Sequence, residues 1–296
     1  MPPSSVQPPE LAAAIAAAVV AADGGRFAVR DARPVGGGCI SRNLCVADGG
    51  RRYFVKLDRD AGERFAAEAD GLAALARCDA LLVPRVVAQG NAAGADFLVL
   101  DWLELTPDGD DAALGEALAA LHAIACPRFG WGRDNFIGAT PQPNGWHDDW
   151  PAFFADRRLR PQLALAARNG APQLAAQAAP LLARLPQLLG HAPQPALVHG
   201  DLWRGNAGFA HGRPALFDPA VYAGDGETDL AMAALFGGFS PRFFAAYRAR
   251  HPAPPGHDTR QRLYQLYHVL NHFNLFGGGY ARQADVLMAN LIAAGD

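Results

Sequence analysis

Residues 199–206 combine the side-chain types that a metal-dependent catalytic loop needs. Their sequence is His-Gly-Asp-Leu-Trp-Arg-Gly-Asn, with Asp201 and Asn206 five residues apart after the apolar run 196–198. A second carboxylate, Asp218, follows twelve residues after Asn206. Such a loop can direct one carboxylate at a reacting oxygen, while amide and carboxylate oxygens are the hard ligands that Mg²⁺ prefers. The spacing therefore predicts a magnesium-dependent catalytic loop.

The spacing of His199, Asp201 and Asn206 also matches a known catalytic motif. In protein kinases the pattern His-x-Asp-x-x-x-x-Asn precedes a metal-binding Asp, which indicates phosphoryl transfer. Taken alone, the octapeptide could instead be a structural loop whose Asp and Asn cap backbone groups. No G-x-S-x-G or H-E-x-x-H sequence is present, and the neighbours of Lys56 exclude a Walker A motif.

Lys56 is the only lysine in a chain that contains 25 arginines. A lysine is a compact point charge, whereas an arginine is a planar fork, so retention of this lysine suggests chemistry that a guanidinium does not suit. Chance retention on the surface is the alternative. Lys56 lies on a predicted strand, on the face opposite Val55 and Leu57. Glu68 lies on the helix predicted over 62–76, so lysine, glutamate and catalytic loop occur in the order that a kinase requires.

The chain changes character after its first third. Strands are predicted at 27–35, 42–47, 51–57, 84–89 and 97–102, with one helix inserted. After a polar break at 106–111, helices are predicted over 112–124, 150–169, 173–189, 228–236, 241–250, 260–271 and 282–294. The fold class expected is α+β, a two-lobed protein-kinase-like fold. Its β-rich N-terminal lobe comprises residues 1–103 and its helical C-terminal lobe residues 104–296.

Composition narrows the possible partners and compartments. With 26 basic and 29 acidic residues, nothing in the charge suggests a nucleic-acid or membrane-surface partner. The four cysteines have neither metal-ligand spacing nor the pattern of a disulfide framework, so a reduced, cytoplasmic location is expected. The apolar run 11–22 lacks a basic flank and is shorter than the ~20 residues of a membrane span. It is predicted to be an ordinary helix.

Several longer stretches make the chain resemble the fructosamine kinase (ketosamine 3-kinase) family, which shares the protein-kinase-like fold of aminoglycoside and choline kinases. Trp203 within the catalytic loop, and Asp-Pro-Ala at 218–220 in place of Asp-Phe-Gly, separate this pattern from protein kinases. The matching stretches span nearly the whole chain: 36–41, 130–138, 140–142, 199–206, 217–222, 224–225, 229–232, 235–239, 263–267 and 271–277.

The resemblance implies an ATP- and Mg²⁺-dependent kinase that phosphorylates the 3-hydroxyl of ketosamines, free or protein-bound, and so promotes loss of the sugar. Asp201 would accept the proton of the sugar hydroxyl. Asn206 and Asp218 would hold Mg²⁺, Lys56 would bind the α- and β-phosphates, and Glu68 would orient Lys56.

The resemblance implies further contacts with nucleotide and substrate. The segment Asp101, Trp102 and Leu103 would be the hinge that offers backbone groups to adenine. Gly36, Gly37 and Gly38 could let the backbone approach phosphates, although they lack the G-x-G-x-x-G spacing and an ordinary turn explains them nearly as well.

Trp203 could stack against the substrate or only pack the loop. His272 could reach the substrate or be a satisfied helix histidine. His199 is expected to brace the loop through hydrogen bonds. Asp229 could contact the substrate or brace the loop, although its place at the start of a helix favours an N-terminal helix-dipole partner. Cys39 could make activity redox-sensitive, with the protein a monomer or a redox-dependent dimer, or it could be a small buried residue.

Three other functions compete with the ketosamine kinase. An aminoglycoside- or choline-kinase-like enzyme would share the catalytic loop and differ in its acceptor. A nucleotide-binding module without activity would be expected to lack Lys56, Asp201, Asn206 or Asp218, and all four are present. A metallo-hydrolase would need further histidine ligands, for which no convincing spacing is found.

Overall fold

The computed structural model describes residues 8–36 and 41–293. The first third forms helix α1, a five-stranded antiparallel sheet in the order β1-β2-β3-β5-β4, and helix α2. The bounds are α1 Pro9–Asp23, β1 Asp31–Pro34, β2 Arg42–Ala47, β3 Arg52–Asp58, α2 Gly62–Leu75, β4 Val86–Ala92 and β5 Ala95–Asp101.

The sheet lies between the two helices, and the alternation of β3 decides which side chain meets which helix. Val55 and Leu57 belong to the apolar cluster that α1 covers with Leu11 and Ile15. Lys56 points to the opposite face, towards α2. The predicted facing of β3 is therefore confirmed, and the N-terminal apolar run is a packed helix.

The rest of the chain is mainly helical, with short two-stranded sheets between the helices. The helices are α3 Asp111–His122, α4 Trp150–Phe154, α5 Arg160–Arg168, α6 Pro172–Ala176, α7 Ala179–Leu188, α8 Glu227–Leu235, α9 Pro241–Arg250, α10 His257–Phe276 and α11 Tyr280–Ala293. The strands are β6 Asn135–Ile137, β7 Thr140–Gln142, β8 Ala196–Val198, β9 Ala207–Ala210, β10 Arg213–Leu216 and β11 Tyr222–Gly224. β6 pairs with β7, β8 with β11 and β9 with β10, all antiparallel.

The expected α+β class, with a sheet first and helices afterwards, is confirmed. A lobe boundary at residue 103 falls between the end of β5 and the start of α3, and it stays a prediction. Within residues 8–36 and 41–293, no helix is long and apolar enough to cross a membrane.

Prolines account for two of the differences from the predicted elements. The helix predicted over 150–169 contains a π-helical turn at Ala155–Leu159. Pro161 has no N–H for the carbonyl of Arg157, and the Arg158 side chain donates to that carbonyl instead, at 2.8 Å. The helix predicted over 173–189 is two helices, because Pro180 belongs in the first turn of α7.

Two other boundaries differ as well. The strand predicted over 27–35 is restricted to Asp31–Pro34, because Asp31 pairs with Ala47, the last residue of β2, and residues 27–30 extend beyond that strand. Helix α10 extends beyond the predicted 260–271 at both ends.

Helices α3 and α9 pack closely enough to require glycine at one position. A Cβ built on Gly115 would lie 2.2 Å from the backbone oxygen of Phe243 in α9. Helix propensity alone favours alanine there by about 1 kcal/mol. The backbone contact cannot relax by a side-chain rotation, so the steric effect is larger.

We expect Gly115→Ala to lower the free energy of unfolding by roughly 2 kcal/mol, the usual effect of overpacking. Chemical denaturation measures it. Gly62→Ala is the matched control, because a Cβ there would lie no closer than 3.8 Å to Asp96. Equal stability of the two variants would contradict the close approach of α3 and α9.

Candidate active site

The catalytic loop begins directly after β8, the short strand that pairs with β11. Asp201 follows this strand, and the 3₁₀ turn Arg204–Asn206 leads into the β9–β10 hairpin and on to Asp218. The Asn206 side-chain amide donates to the backbone oxygen of Asp201 at 2.9 Å and approaches that of Asp218 at 3.4 Å. Asn206 therefore ties together the two segments that carry the carboxylates.

Lys56 connects the sheet to this loop. Its Nζ lies 2.6 Å from Glu68 Oε1 on α2 and 2.5 Å from Asp218 Oδ1. Burial alone would lower the pKa of Lys56, but the two carboxylates outweigh it and raise the pKa above its usual value. The lysine is thus a fixed positive charge that three separate parts of the chain share.

The Asp201 carboxyl lies in a very different electrostatic environment. Burial, followed by the nearby charges of Asp218 and Asp229, raises the pKa of Asp201 to about 7, although Asn206 acts in the opposite direction. A carboxylate with such a pKa is a stronger base than an exposed one, which suits a group that must accept a proton near neutral pH.

A buried aspartate holds the start of the loop. Asp229 accepts hydrogen bonds from the backbone N–H groups of His199 at 2.7 Å and Gly200 at 2.8 Å. His122 Nε2 lies 3.0 Å from the same carboxylate, and its Nδ1 contacts the Tyr247 hydroxyl at 2.8 Å. Of the roles expected for Asp229, these contacts favour bracing of the loop over an interaction chiefly with the helix dipole. Although Asp229 lies in the first turn of α8, its two oxygens are used to position the catalytic loop.

The His199 ring braces the loop, as expected. Its Nε2 donates to the backbone oxygen of Phe217 at 3.0 Å, and its Nδ1 accepts from the backbone N–H of Asp201 at 3.3 Å. Burial lowers the pKa of His199, so the ring is neutral, which agrees with one donated and one accepted hydrogen bond.

A cavity of about 500 Å³ is lined by Lys56, by Asp218 and by residues of the catalytic loop. Seven of the predicted site residues line it: Lys56, Glu68, Asp201, Trp203, Asn206, Asp218 and His272. The Trp203 ring lies across Gly205, where an added Cβ would be 2.2 Å from the indole. His272 donates through Nδ1 to the backbone oxygen of His268 at 2.8 Å, which leaves its Nε2 as an acceptor.

The other predicted site residues that the structure describes do not line this cavity. Gly36 and the segment 101–103 do not line the cavity. Asp101 is paired with Arg85, the Trp102 indole donates to Glu104, and the Leu103 carbonyl accepts from the backbone N–H of Leu105. Gly37, Gly38 and Cys39 fall outside the described residues. A role of these residues with nucleotide stays a prediction.

The donor set at Asn206 and Asp218 fits a hard divalent cation. The amide nitrogen of Asn206 is used within the protein, so its Oδ1 is the atom available to a metal. Asp218 adopts a φ of +56°, a backbone conformation that is rare for a residue other than glycine and often found at functional sites. An amide oxygen and a carboxylate are the ligands that Mg²⁺ uses beside phosphates and water.

Several lining residues carry no functional role in the sequence analysis. They come from the β6–β7 hairpin and from helices α8, α10 and α11, and include Asn135, Phe136, Met232, Phe236, Asn271, Phe276 and Tyr280. Most of these residues belong to the stretches 130–138, 229–232, 235–239 and 271–277, and the family resemblance was the only signal there. It gave no reason to expect their side chains beside Asp201, since all four stretches lie outside the catalytic loop in sequence.

A sequence model of the fructosamine kinase family matches residues 11–294. The chain belongs to the fructosamine kinase family. The chain is 49% identical over 270 residues to a ketoamine kinase homologue of Synechocystis sp., which covers 88% of this chain and 90% of that protein. As a member of this family the protein is an ATP-dependent kinase.

Solved structures agree with this assignment to the fructosamine kinase family. The crystal structure of a fructosamine-3-kinase homologue from Haemophilus somnus has a TM-score of 0.85 at 28% identity and covers 94% of this chain and 96% of its own. An aminoglycoside phosphotransferase in complex with AMP-PNP and hygromycin B has a TM-score of 0.62 at 18% identity and covers 95% and 98% of the two chains. The second likeness shows the fold alone, and together they confirm the protein-kinase-like fold.

Because Asp229 accepts two backbone hydrogen bonds at the start of the catalytic loop, its replacement by the isosteric asparagine should have a measurable effect. In Asp229→Asn the new amide N–H groups would face one of the backbone N–H donors that the carboxylate now accepts. We expect a loss of stability of ~3 kcal/mol, as for a disrupted buried charge network, and a kcat at least about tenfold lower. Thermal melting and steady-state kinetics measure the two effects.

Asp148→Asn is the matched control, because that carboxylate is 82% exposed and is paired with Arg128 on the surface. It should change neither quantity. If Asp229→Asn had the stability and the kcat of this control, the positioning role would be wrong.

Proposed function

We propose that this kinase transfers the γ-phosphate of ATP to the 3-hydroxyl of ketosamines, with Mg²⁺ as cofactor. The observation that carries the proposal is that one cavity is lined by Lys56, Asp201 and Asp218 together with Trp203 and His272. A phosphate-binding group, a base and a surface for a sugar-bearing acceptor thus line the same cavity.

The phosphate side of the cavity is assigned by charge. The Lys56 ammonium has three N–H donors, of which Asp218 accepts one, and Glu68 is paired with it by charge, so at least one donor remains for the α- and β-phosphates. Glu68 keeps the ammonium oriented from α2. Asn206 and Asp218 would hold Mg²⁺, which when bound neutralises charge on the phosphates. The segment 101–103 and the glycines 36–38 remain our candidates for the adenine and phosphate backbone contacts.

The residues that would bind the acceptor are assigned from their hydrogen-bonding groups and from the shape that they give the cavity. Asp201 would accept the proton of the attacking hydroxyl, since its raised pKa matches that task. The Trp203 ring, held across Gly205, offers a flat face to the sugar. His272 Nε2 is free to accept from a hydroxyl or an ammonium N–H of the substrate. The reaction then depends on positioning and charge neutralisation, without a covalent intermediate.

The charges of the cavity favour this acceptor over an aminoglycoside. Among the described lining residues, the acidic ones are Glu68, Asp201 and Asp218, and all three serve the phosphate side or the proton transfer. A polycationic substrate would need further carboxylates around its amines. A ketosamine has a single amine, which suits a cavity without them.

The other candidates receive less support. An inactive nucleotide-binding module does not account for the convergence of Lys56, Asp201, Asn206 and Asp218. For a metallo-hydrolase, the described residues hold one further group with metal-like spacing: His191, Asp225 and Glu227. Asp225 contacts His191 at 2.8 Å and Glu227 contacts Arg260 at 2.6 Å, so protein partners already balance these carboxylates.

We expect Asp201→Asn to abolish phosphoryl transfer while ATP binding persists, because the amide cannot accept the hydroxyl proton. The same change should raise the melting temperature at pH 8. The folded-state pKa of Asp201 lies above that of the unfolded chain, so ionisation disfavours the folded state, and this penalty grows as pH rises from about 4 to about 7. The gain in stability should therefore shrink on acidification.

Transfer rate, nucleotide binding by calorimetry and thermal melting at pH 5 and 8 test this prediction. A variant with most of its turnover would contradict the role of Asp201 as base. An unchanged melting temperature at pH 8 would contradict the prediction that the ionised Asp201 carboxylate destabilises the folded state.

The pH profile of the wild type follows from the same group. A protonated Asp201 cannot accept the hydroxyl proton, so kcat/KM should fall tenfold per pH unit below an apparent pKa near 7. Rates between pH 5.5 and 9, with melting curves recorded alongside to show that the protein stays folded, give the profile. A flat profile through pH 6 would be inconsistent with this base.

The substrate class is tested by measuring ATP consumption with ketosamines of several sugars beside aminoglycosides and choline. We expect turnover with ketosamines, and a phosphate on the 3-hydroxyl by NMR. Turnover with aminoglycosides or choline alone would overturn the proposed acceptor while leaving the kinase assignment intact.

A further inference from the structure

An exposed aromatic patch forms the outer part of the catalytic cavity. Phe236 is 42% exposed and Phe276 is 51% exposed, although large apolar side chains are usually buried. Both line the cavity, as does Tyr280. Their ring centroids lie 4.6, 5.7 and 5.3 Å from that of His272. We call Phe236, Phe276 and Tyr280 the aromatic mouth.

Helix ends bring the aromatic mouth together. Phe236 directly follows α8, Phe276 is the last residue of α10 one turn beyond His272, and Tyr280 is the first residue of α11. The contact between α10 and α8 and that between α10 and α11 therefore place three rings around one histidine. The patch is continuous with the catalytic carboxylate, because Asp201 and His272 line the same space.

The chemistry of the mouth determines which part of a substrate it can accept. The two phenyl rings offer no hydrogen bonds, so sugar hydroxyls placed against them would lose their water without replacement. An apolar chain placed there gains about 0.8 kcal/mol for each methylene removed from water. Aromatic faces also attract an ammonium group.

A ketosamine has one end rich in hydroxyl groups and one end that can be apolar. Its sugar carries the hydroxyls and must present one of them to Asp201, whereas its nitrogen carries the substituent of the parent amine. Since the mouth is half exposed, a substituent bound there can lead out towards solvent.

We propose that the aromatic mouth is a subsite for the nitrogen substituent of the substrate, and that it selects ketosamines whose amine carries an unbranched alkyl chain. The tetramethylene chain of a lysine side chain has this chemistry, and the open mouth admits it while the lysine remains part of a longer chain. The ammonium lies beside His272, where the rings and the neutral imidazole take the place of a carboxylate. Burial lowers the pKa of His272, which keeps the imidazole uncharged next to a cation.

This inference rests on the proposed function, and a homologous series separates the two. The substrates are ketosamines of one sugar with methylamine, propylamine, butylamine and hexylamine. We expect kcat/KM of the wild type to rise two- to fourfold per methylene up to about the length of a lysine side chain, the range that corresponds to burial of each group. In Phe276→Ala and Phe236→Ala, the ratio of kcat/KM for the butylamine and methylamine adducts should fall at least threefold.

Trp146→Ala is the matched control, since Trp146 is an aromatic residue of similar exposure, 41%, that does not line the cavity. It should leave the ratio as in the wild type. A second measurement removes catalysis from the comparison: calorimetric binding of the same adducts to Asp201→Asn, with and without Phe276→Ala, should show the same dependence on chain length.

The outcomes distinguish the two proposals. Phosphorylation of every adduct with no dependence on chain length would overturn the subsite and leave the ketosamine kinase standing. A dependence that persists in both phenylalanine variants would overturn the subsite as well. If no ketosamine of the series were phosphorylated, the proposed function itself would fail.

Discussion

The ion pairs of Lys56 are the interaction on which the geometry of the site depends. One ammonium joins β3, α2 and the segment after β10. A second ion pair, between Arg64 and Asp58, links α2 to β3 but does not reach the catalytic loop. Because a buried charge is tolerated only with partners, any movement of α2 or of Asp218 away from the sheet would leave an unpaired group. The relative position of sheet and catalytic loop is therefore linked to the same group that is proposed to bind phosphate.

The positioning carboxylate of Asp229 and the proposed base Asp201 lie in opposite environments, although they are close together. Asp229 is stabilised as an anion by backbone N–H groups and by His122, so despite its burial its pKa lies below the usual value. Asp201 receives little such compensation, and its pKa is raised. The first holds the loop in place, and the second carries an unfavourable charge that is useful for accepting a proton. A stable support next to a destabilised reactive group is the arrangement expected where activity and stability oppose each other.

The features of the site that depend on short stretches of sequence could be predicted. The alternation of β3 placed Lys56 on the face towards α2, and the spacing of 199–206 with Asp218 placed the carboxylates. Pro161 and Pro180 contained the signals for the helix interruptions, which the periodicity of apolar residues concealed. The sequence left the role of Asp229 open between loop bracing and the helix dipole, because its partners His199 and His122 lie far away in sequence. The aromatic mouth depends on how three helix ends meet, which no pattern within one helix reports.

The use of a single lysine has a consequence for the stability of the protein towards sugars. Reducing sugars condense with unprotonated, accessible amines, and Lys56 is 6% exposed, ion-paired and held in its protonated form. The other basic side chains are guanidinium groups, which do not form ketosamines. An enzyme proposed to act on sugar–amine adducts thus offers almost none of its own side chains to the reaction that generates them.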